Sequence, residues 1–256
     1  MTFHREDCVA VFDSGLGGLS VLLHLRRVMP DEHFLYYGDC GNAPYGTRPT
    51  QQIRQLTFSA VELLLQRPVK ALVVACNTAT AAAIAQLREK YPQLIIIGIE
   101  PALKLAADRF PGGHIGVMAT QVTLREEKFQ NLWHRCAADC QVYPIEAPGL
   151  VELVESGQQN SPQALALLRQ VLGPYVGRLD ALVLGCTHFP FAAGTISQIL
   201  GDTPLLDGGD GTARETRRRL AQAGLLAPDG QTGTTEILCS GDAARSCHLA
   251  KKLLEE

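Results

Sequence analysis

The sequence predicts an α/β protein of two pseudo-symmetric lobes, each a mostly parallel sheet flanked by helices, with an active site in the cleft between them. Three observations carry this. Short apolar runs alternate with helical patterns along the whole chain, the signature of strand–helix units in a parallel sheet. The runs are nearly all apolar instead of alternating, as strands covered on both faces require. Two pairs of segments also echo each other: Val9–Ser14 resembles Ile115–Thr120, and Leu72–Thr78 resembles Leu182–His188. Each half then holds an early strand ending in a small hydroxyl residue and a later one ending in cysteine.

The elements follow in order. Val9–Phe12 reads as a buried strand, and Gly17–Val28 as a helix with apolar residues at Leu19, Leu22, Leu23 and Leu25, stopped before Pro30. Phe34–Tyr37 is a strand, Thr50–Leu65 a helix, Ala71–Ala75 a strand and Thr78–Tyr91 an Ala-rich helix. Leu94–Gly98, Ile115–Met118, Gln141–Tyr143 and Ala181–Leu184 are further strands, with helices near 121–136, 161–176 and 190–200. The Gly/Asp-rich Asp207–Gly211 reads as a crossing between lobes. The tail, a strand over Thr235–Cys239 and a helix over Ala243–Leu254, is expected to return to the first lobe. The lobes are therefore expected at 1–98 with 208–256, and at 99–207.

Composition narrows the function. The chain has 256 residues, 46% hydrophobic and 19% charged, with a formal net charge of -3. Those values fit a packed globular protein. A weakly acidic chain is a poor binder of nucleic acid, which needs a basic face. The one basic run, Arg217–Arg219, reads as a solvated helix face. No apolar run approaches the roughly 18 residues that span a bilayer, and the N-terminus lacks the apolar core of a signal peptide. The expectation is a cytoplasmic protein without membrane or nucleic-acid partners, whose eight cysteines are free thiols. Metal sites are not expected: no Cys-x-x-Cys occurs, and Cys136 and Cys140 have no second pair at zinc spacing. A P-loop is absent, and Gly15-x-Gly17-x-x-Ser20 lacks the third glycine of a dinucleotide fingerprint. Lys70 and Lys104 read as surface residues.

In a parallel α/β sheet, sites form beyond the carboxyl ends of the strands. Four strand ends stand out: Asp13-Ser14-Gly15, Cys76-Asn77-Thr78, Thr120, and Cys186-Thr187-His188. Each precedes a helix, whose N-terminal N–H groups suit an anionic ligand and lower a cysteine pKa. Cys76 and Cys186 occupy matching places in the two halves. Two opposed thiols fit one chemical task, inversion of a carbon centre, in which a base takes a proton from one face and an acid returns one to the other. The alternative is two cysteines that merely pack. Asp13 reads either as a turn or cap residue or as a carboxylate assisting one thiol. His188, two residues after Cys186, is either structural or an assistant to the second thiol.

Four motifs in order, Asp13-Ser-Gly-Leu-Gly-Gly-Leu-Ser-Val21, Gly38-Asp39 with Pro44-Tyr45-Gly46, Ala75-Cys-Asn-Thr-Ala79, and Leu184-Gly-Cys-Thr-His-Phe-Pro190, resemble the signatures of the glutamate racemase family, within the cofactor-independent aspartate/glutamate racemases. The resemblance runs from about residue 9 to the C-terminus. It implies two α/β lobes, no cofactor, no metal, glutamate as small-molecule substrate, D-glutamate for peptidoglycan synthesis and cell-wall biogenesis, and a homodimer. It implies that Cys76 acts on the D-enantiomer and Cys186 on the L-enantiomer, with Asp13 and His188 assisting. Ser14, Tyr45, Gly46, Asn77, Thr78 and Thr187 match substrate-contacting positions, as do Asp13 and His188. Glu155 resembles a further acidic residue near the second thiol, and Thr120 a strand-end threonine of the second lobe. Val122 stands where the family often has glycine, and Cys40 is unusual for its motif. Other readings are a racemase for aspartate or another amino acid, and a non-catalytic amino-acid-binding protein, against which the presence of both thiols argues.

Overall fold

The structure is a computed structural model, describing residues 2–100, 102–125, 127–136 and 139–255. In chain order the strands and α-helices are β1 (Cys8–Asp13), α1 (Leu19–Val28), β2 (Phe34–Gly38), α2 (Thr50–Leu64), β3 (Val69–Val74), α3 (Asn77–Lys90), β4 (Ile95–Gly98), α4 (Leu103–Arg109), β5 (His114–Ala119), α5 (Gln121–Arg125), α6 (Glu127–Cys136), β6 (Gln141–Glu146), α7 (Leu150–Glu155), α8 (Pro162–Leu172), β7 (Ala181–Leu184), α9 (Ala193–Leu200), β8 (Leu205–Asp207), α10 (Gly209–Gln222), β9 (Thr235–Cys239) and α11 (Ala243–Glu255). They form two compact units, Met1–Glu100 with Gly209–Glu256, and Pro101–Gly208. No described helix is long and apolar enough to cross a membrane.

The first unit holds a five-stranded sheet in the order β4-β3-β1-β2-β9, parallel throughout. The central strands β1 and β3 are buried along almost their whole length, which is why their sequences are apolar without alternation. Helix α1 buries Leu19, Leu22 and Leu25, a 3.6-period stripe, and packs against α10 and α11, while α2 packs against α3.

The second unit holds a four-stranded parallel sheet in the order β6-β5-β7-β8. Side chains alternate between its two faces, and both faces are covered. Ile115, Val117, Ala181 and Val183 pack with Leu103, Ala106, Phe129 and Leu132. Met118, Leu182 and Leu184 pack with Leu150, Leu168, Leu172 and Ile196. Each fully buried Leu or Ile contributes roughly 1.5–3 kcal/mol.

The sheet β8-β7-β5-β6 repeats the order β4-β3-β1-β2. Strand β5 thus stands where β1 stands, and β7 where β3 stands, as the segment similarities imply.

The structure corrects several local expectations. Asp207–Gly211 does carry the crossing, since the units change between Gly208 and Gly209, but with no loop between elements: Asp207 ends β8, and α10 begins at Gly209. Its glycines are poor helix formers, but burial of Thr212, Ala213, Thr216 and Leu220 overrides propensity. The helix expected to run to 176 ends at Leu172, followed by a single tight turn over Gly173–Tyr175, because Pro174 cannot supply the N–H that continues a helix. The helix expected over 121–136 is two, α5 and α6; Glu126, Ala137 and Ala138 lie outside the described residues. Lys70 is not a surface residue. It is fully buried, with Nζ 2.6 Å from Glu32 Oε2 and donating to the Arg5 carbonyl. A buried ammonium requires such partners. Arg217–Arg219 is exposed on α10, with Arg218 paired to Glu215 at 2.6 Å.

Candidate active site

In the first unit, β1 and β3 deliver their last residues to the same end of the sheet. Asp13 is fully buried and accepts the Gly15 N–H at 2.9 Å. This turn leads into α1 through Gly18, where a Cβ would stand 2.5 Å from Asp13 Cβ; only glycine allows so close an approach. Cys76 caps α3, its Sγ accepting the Ala79 N–H at 3.3 Å and donating to Ser14 Oγ at 3.4 Å. The sulfur therefore sits at the N-terminus of a 14-residue helix, the positive end of the macrodipole. Asn77 and Thr78 are buried beside it. The Asn77 Oδ1 is buried with no hydrogen-bond partner among the described residues, an open acceptor.

Tyr45 begins a tight turn over Tyr45–Thr47 that also contains Gly46. Its hydroxyl donates to Asp39 Oδ2 at 2.7 Å. Burial, the Asp39 hydrogen bond and the charges of Asp39, Cys76 and Asp13 push this phenol far above its ordinary pKa, so it stays a neutral donor. Asp39 also accepts from Asn42 at 3.1 Å and from Ser240 Oγ at 2.6 Å. Asp39 lies in a quoted motif but is absent from the sequence candidates. Its role as the anchor of the Tyr45 loop appears only once the tail strand brings Ser240 beside it; the one signal was its place directly after a strand-end glycine.

In the second unit, β7 ends at Leu184 and Gly185 turns the chain, its N–H donating to the Met118 carbonyl at 2.7 Å. A Cβ on Gly185 would come 2.9 Å from Ala119 Cβ. Cys186, Thr187 and His188 follow, all buried. Cys186 Sγ lies 3.7 Å from His188 Nδ1, and His188 Nε2 lies 2.6 Å from Glu155 Oε1, at the end of α7. Burial alone would depress the His188 pKa, but the hydrogen bonds to Cys186 and Glu155 outweigh it and hold the imidazolium well above its ordinary range. Both ring nitrogens then donate, one to sulfur and one to carboxylate.

Thr120 follows β5, and its Oγ1 lies 3.0 Å from Thr123 Oγ1. Val122 lies within α5, so the replacement of glycine there is absorbed by a short helix.

Each unit thus gathers its candidates at one end of its own sheet: Asp13, Ser14, Tyr45, Gly46, Asn77 and Thr78 around Cys76, and Thr187, His188 and Glu155 around Cys186, with Thr120 at the end of the neighbouring strand. Each cysteine follows the topologically equivalent strand and carries its own set of hydrogen-bond partners.

Comparison with known proteins agrees in sequence and in fold. The family model described as Asp/Glu/Hydantoin racemase matches residues 21–216. A glutamate racemase of Clostridium perfringens is 44% identical over 249 residues, 96% of each chain. The crystal structure of glutamate racemase from Thermus thermophilus in complex with β-chloro-D-alanine superposes with a TM-score of 0.84 at 38% identity, covering 98% of this chain and 94% of that one. A glutamate racemase isoform from Bacillus anthracis superposes with a TM-score of 0.89 at 32% identity, covering 99% and 96%.

Proposed function

The chain belongs to the Asp/Glu/Hydantoin racemase family, and from that premise we propose that it interconverts L- and D-glutamate, without cofactor, using Cys76 and Cys186 as the two acid/base groups. The observation that carries the assignment is a pair of cysteines at equivalent strand ends, one seated on a helix N-terminus and the other on a His–Glu pair.

The chemical problem is removal of the α-proton, whose electron pair must be held beside a carboxylate. For the L-enantiomer, the Cys186 thiolate takes the proton from one face, and the Cys76 thiol returns its own to the other. The D-enantiomer runs the same steps in reverse. The Ala79 N–H and the α3 terminus support Cys76 when it is the thiolate. The His188 imidazolium, oriented by Glu155, does the same for Cys186. Asp13 assists on the Cys76 side.

The open Asn77 Oδ1 accepts from the substrate α-ammonium, which removes the cost of a buried unpaired carbonyl. Ser14, Thr78, Thr120 and Thr187 offer hydroxyls to the carboxylates, and the Tyr45–Gly46 turn completes the contacts. D-Glutamate made this way supplies peptidoglycan synthesis in the cytoplasm, with the enzyme acting as a homodimer.

The test is incubation with L-glutamate in deuterium oxide without added cofactor. We expect loss of the α-proton NMR signal together with decay of optical rotation. Neither change with glutamate, but both with aspartate, would reassign the substrate; neither change with any amino acid would defeat the racemase reading.

A further inference from the structure

Three thiols that this chemistry does not use gather at the edge of the first unit's sheet, beside the loop carrying Tyr45. Cys239 ends β9 and pairs in register with Gly38 at the end of β2. Gly38 has no side chain, and Cys40 Sγ occupies the adjoining space, 3.3 Å from where a Gly38 Cβ would stand. Partnered residues on adjacent strands project to the same face. The Cys40 sulfur therefore lies beside the Cys239 side chain. Cys247, on α11, directs its Sγ at the Ile237 carbonyl of β9, 3.7 Å away. All three thiols are free and half-buried.

Cys40 and Cys239 flank the two ends of one connection. Asp39, next to Cys40, accepts from Ser240, next to Cys239, at 2.6 Å. The Ser240 N–H donates to the Gly38 carbonyl at 3.0 Å, and the Gly41 N–H to Ser240 Oγ at 2.9 Å. The same Asp39 carboxylate holds Tyr45. Any displacement of Cys40 toward β9 is thus passed to the group that positions the Tyr45–Gly46 turn.

We propose that Cys40 and Cys239 form a reversible redox site: a hydroperoxide joins them as a disulfide, and the join shifts Asp39 and Tyr45 and slows turnover. The effect on turnover rests on the reading of Tyr45 as a substrate contact; formation of the bond does not. The hydrogen bond to Cys40, together with burial, pushes the Cys239 thiol up. Cys239 therefore keeps its proton and acts second, as the resolving thiol. The Cys40 thiolate attacks one peroxide oxygen, the O–O bond breaks, and the alcohol or water leaves with a proton, giving a sulfenic acid. Cys239 sulfur then attacks Cys40 sulfur. The S–S bond forms, the S–OH bond breaks, and hydroxide leaves as water with the Cys239 proton. Two thiols lose two electrons in all, and the peroxide gains them. Exchange with a small thiol restores both cysteines. Bonded sulfurs stand about 2.05 Å apart, closer than two free thiols, so the loop must move for the bond to form.

The experiment treats the reduced full-length protein with one equivalent of hydrogen peroxide, blocks remaining thiols with iodoacetamide, and maps tryptic peptides without reduction. Cys40, Cys76, Cys186, Cys239 and Cys247 fall in separate peptides. We expect a Cys40–Cys239 linked pair, two hydrogens lighter than its parts, with Cys76 and Cys186 alkylated. Racemisation is expected to fall roughly tenfold or more, to return with dithiothreitol, and to resist the same treatment in Cys239→Ser. Linkage of Cys239 to Cys247 instead, oxidation of Cys76 or Cys186 ahead of Cys40, or a linked protein with full turnover would overturn the proposal. The linkage map needs no turnover, whereas isotope exchange by the reduced protein tests the racemase reading alone, so the two failures are told apart.

Discussion

His188 is held between a sulfur and a carboxylate, and its charge depends on both. Its raised pKa means that the folded chain binds this proton more tightly than the unfolded chain. The stabilisation is complete below the unfolded value of about 6.5 and is lost as pH rises through the folded value. Glu155→Gln removes one of the two groups that raise it and leaves the Cys186 hydrogen bond alone to oppose burial. The variant is expected to lose the imidazolium proton at lower pH, by about one pH unit or more, read from the histidine ring signals by NMR and from the alkaline limb of the rate profile. An unmoved titration would remove Glu155 from the site. The thiols admit a sharper test. Cys76→Ala and Cys186→Ala are each expected to lower racemisation by roughly 10²–10⁴-fold, the scale of a positioned acid or base, with folding unchanged by circular dichroism. Intact turnover in either variant would end the two-thiol mechanism.

At the scale of elements, the site depends on how closely a strand end meets the helix that follows it. Gly18 precedes α1 with φ −62°, ψ −9°, a conformation that alanine adopts freely. Space is the obstacle, since an added Cβ meets Asp13 Cβ at 2.5 Å and Ala75 Cβ at 3.1 Å. Gly18→Ala is expected to cost roughly 1–3 kcal/mol, the range for overpacking, and to lower kcat/KM by displacing Asp13. Urea unfolding and initial rates measure the two effects separately. Unchanged rates in a destabilised variant would assign Asp13 to the turn alone.

For the whole molecule, the tail completes the first unit. The β9–α11 segment supplies the edge strand beside β2. The connection before it is tied down by the Ala227 N–H on Glu32 Oε1 at 2.8 Å and by Arg5 on the Leu226 and Ala227 carbonyls. Glu32 in turn pairs with Lys70. Lys70→Met strands a buried carboxylate and is expected to cost roughly 3–5 kcal/mol. Adding Glu32→Gln keeps an acceptor for Ala227 while removing the charge, so the double variant is expected to regain part of that loss in urea melts. A double variant no better than the single one would show that the pair contributes by shape and not by charge.

The α/β class, the positions of most strands and the cysteines at two equivalent strand ends were legible from the chain alone, because these rest on local patterns: unbroken apolar runs and motifs whose residues are adjacent in the chain. Lys70 and Asp39 were read poorly because their partners, Glu32 and Ser240, are distant in sequence, so burial and hydrogen bonding there are properties of the assembled sheet. The start of α10 at Gly209 was hidden for the same reason: its glycines read as a crossing, and its packing partner α1 is distant in sequence. That Glu155 reaches His188 and that Cys40 lies beside Cys239 emerges in the folded chain alone. Each depends on which strand ends are neighbours, and strand pairing is fixed by non-local burial rather than by any one segment's propensity.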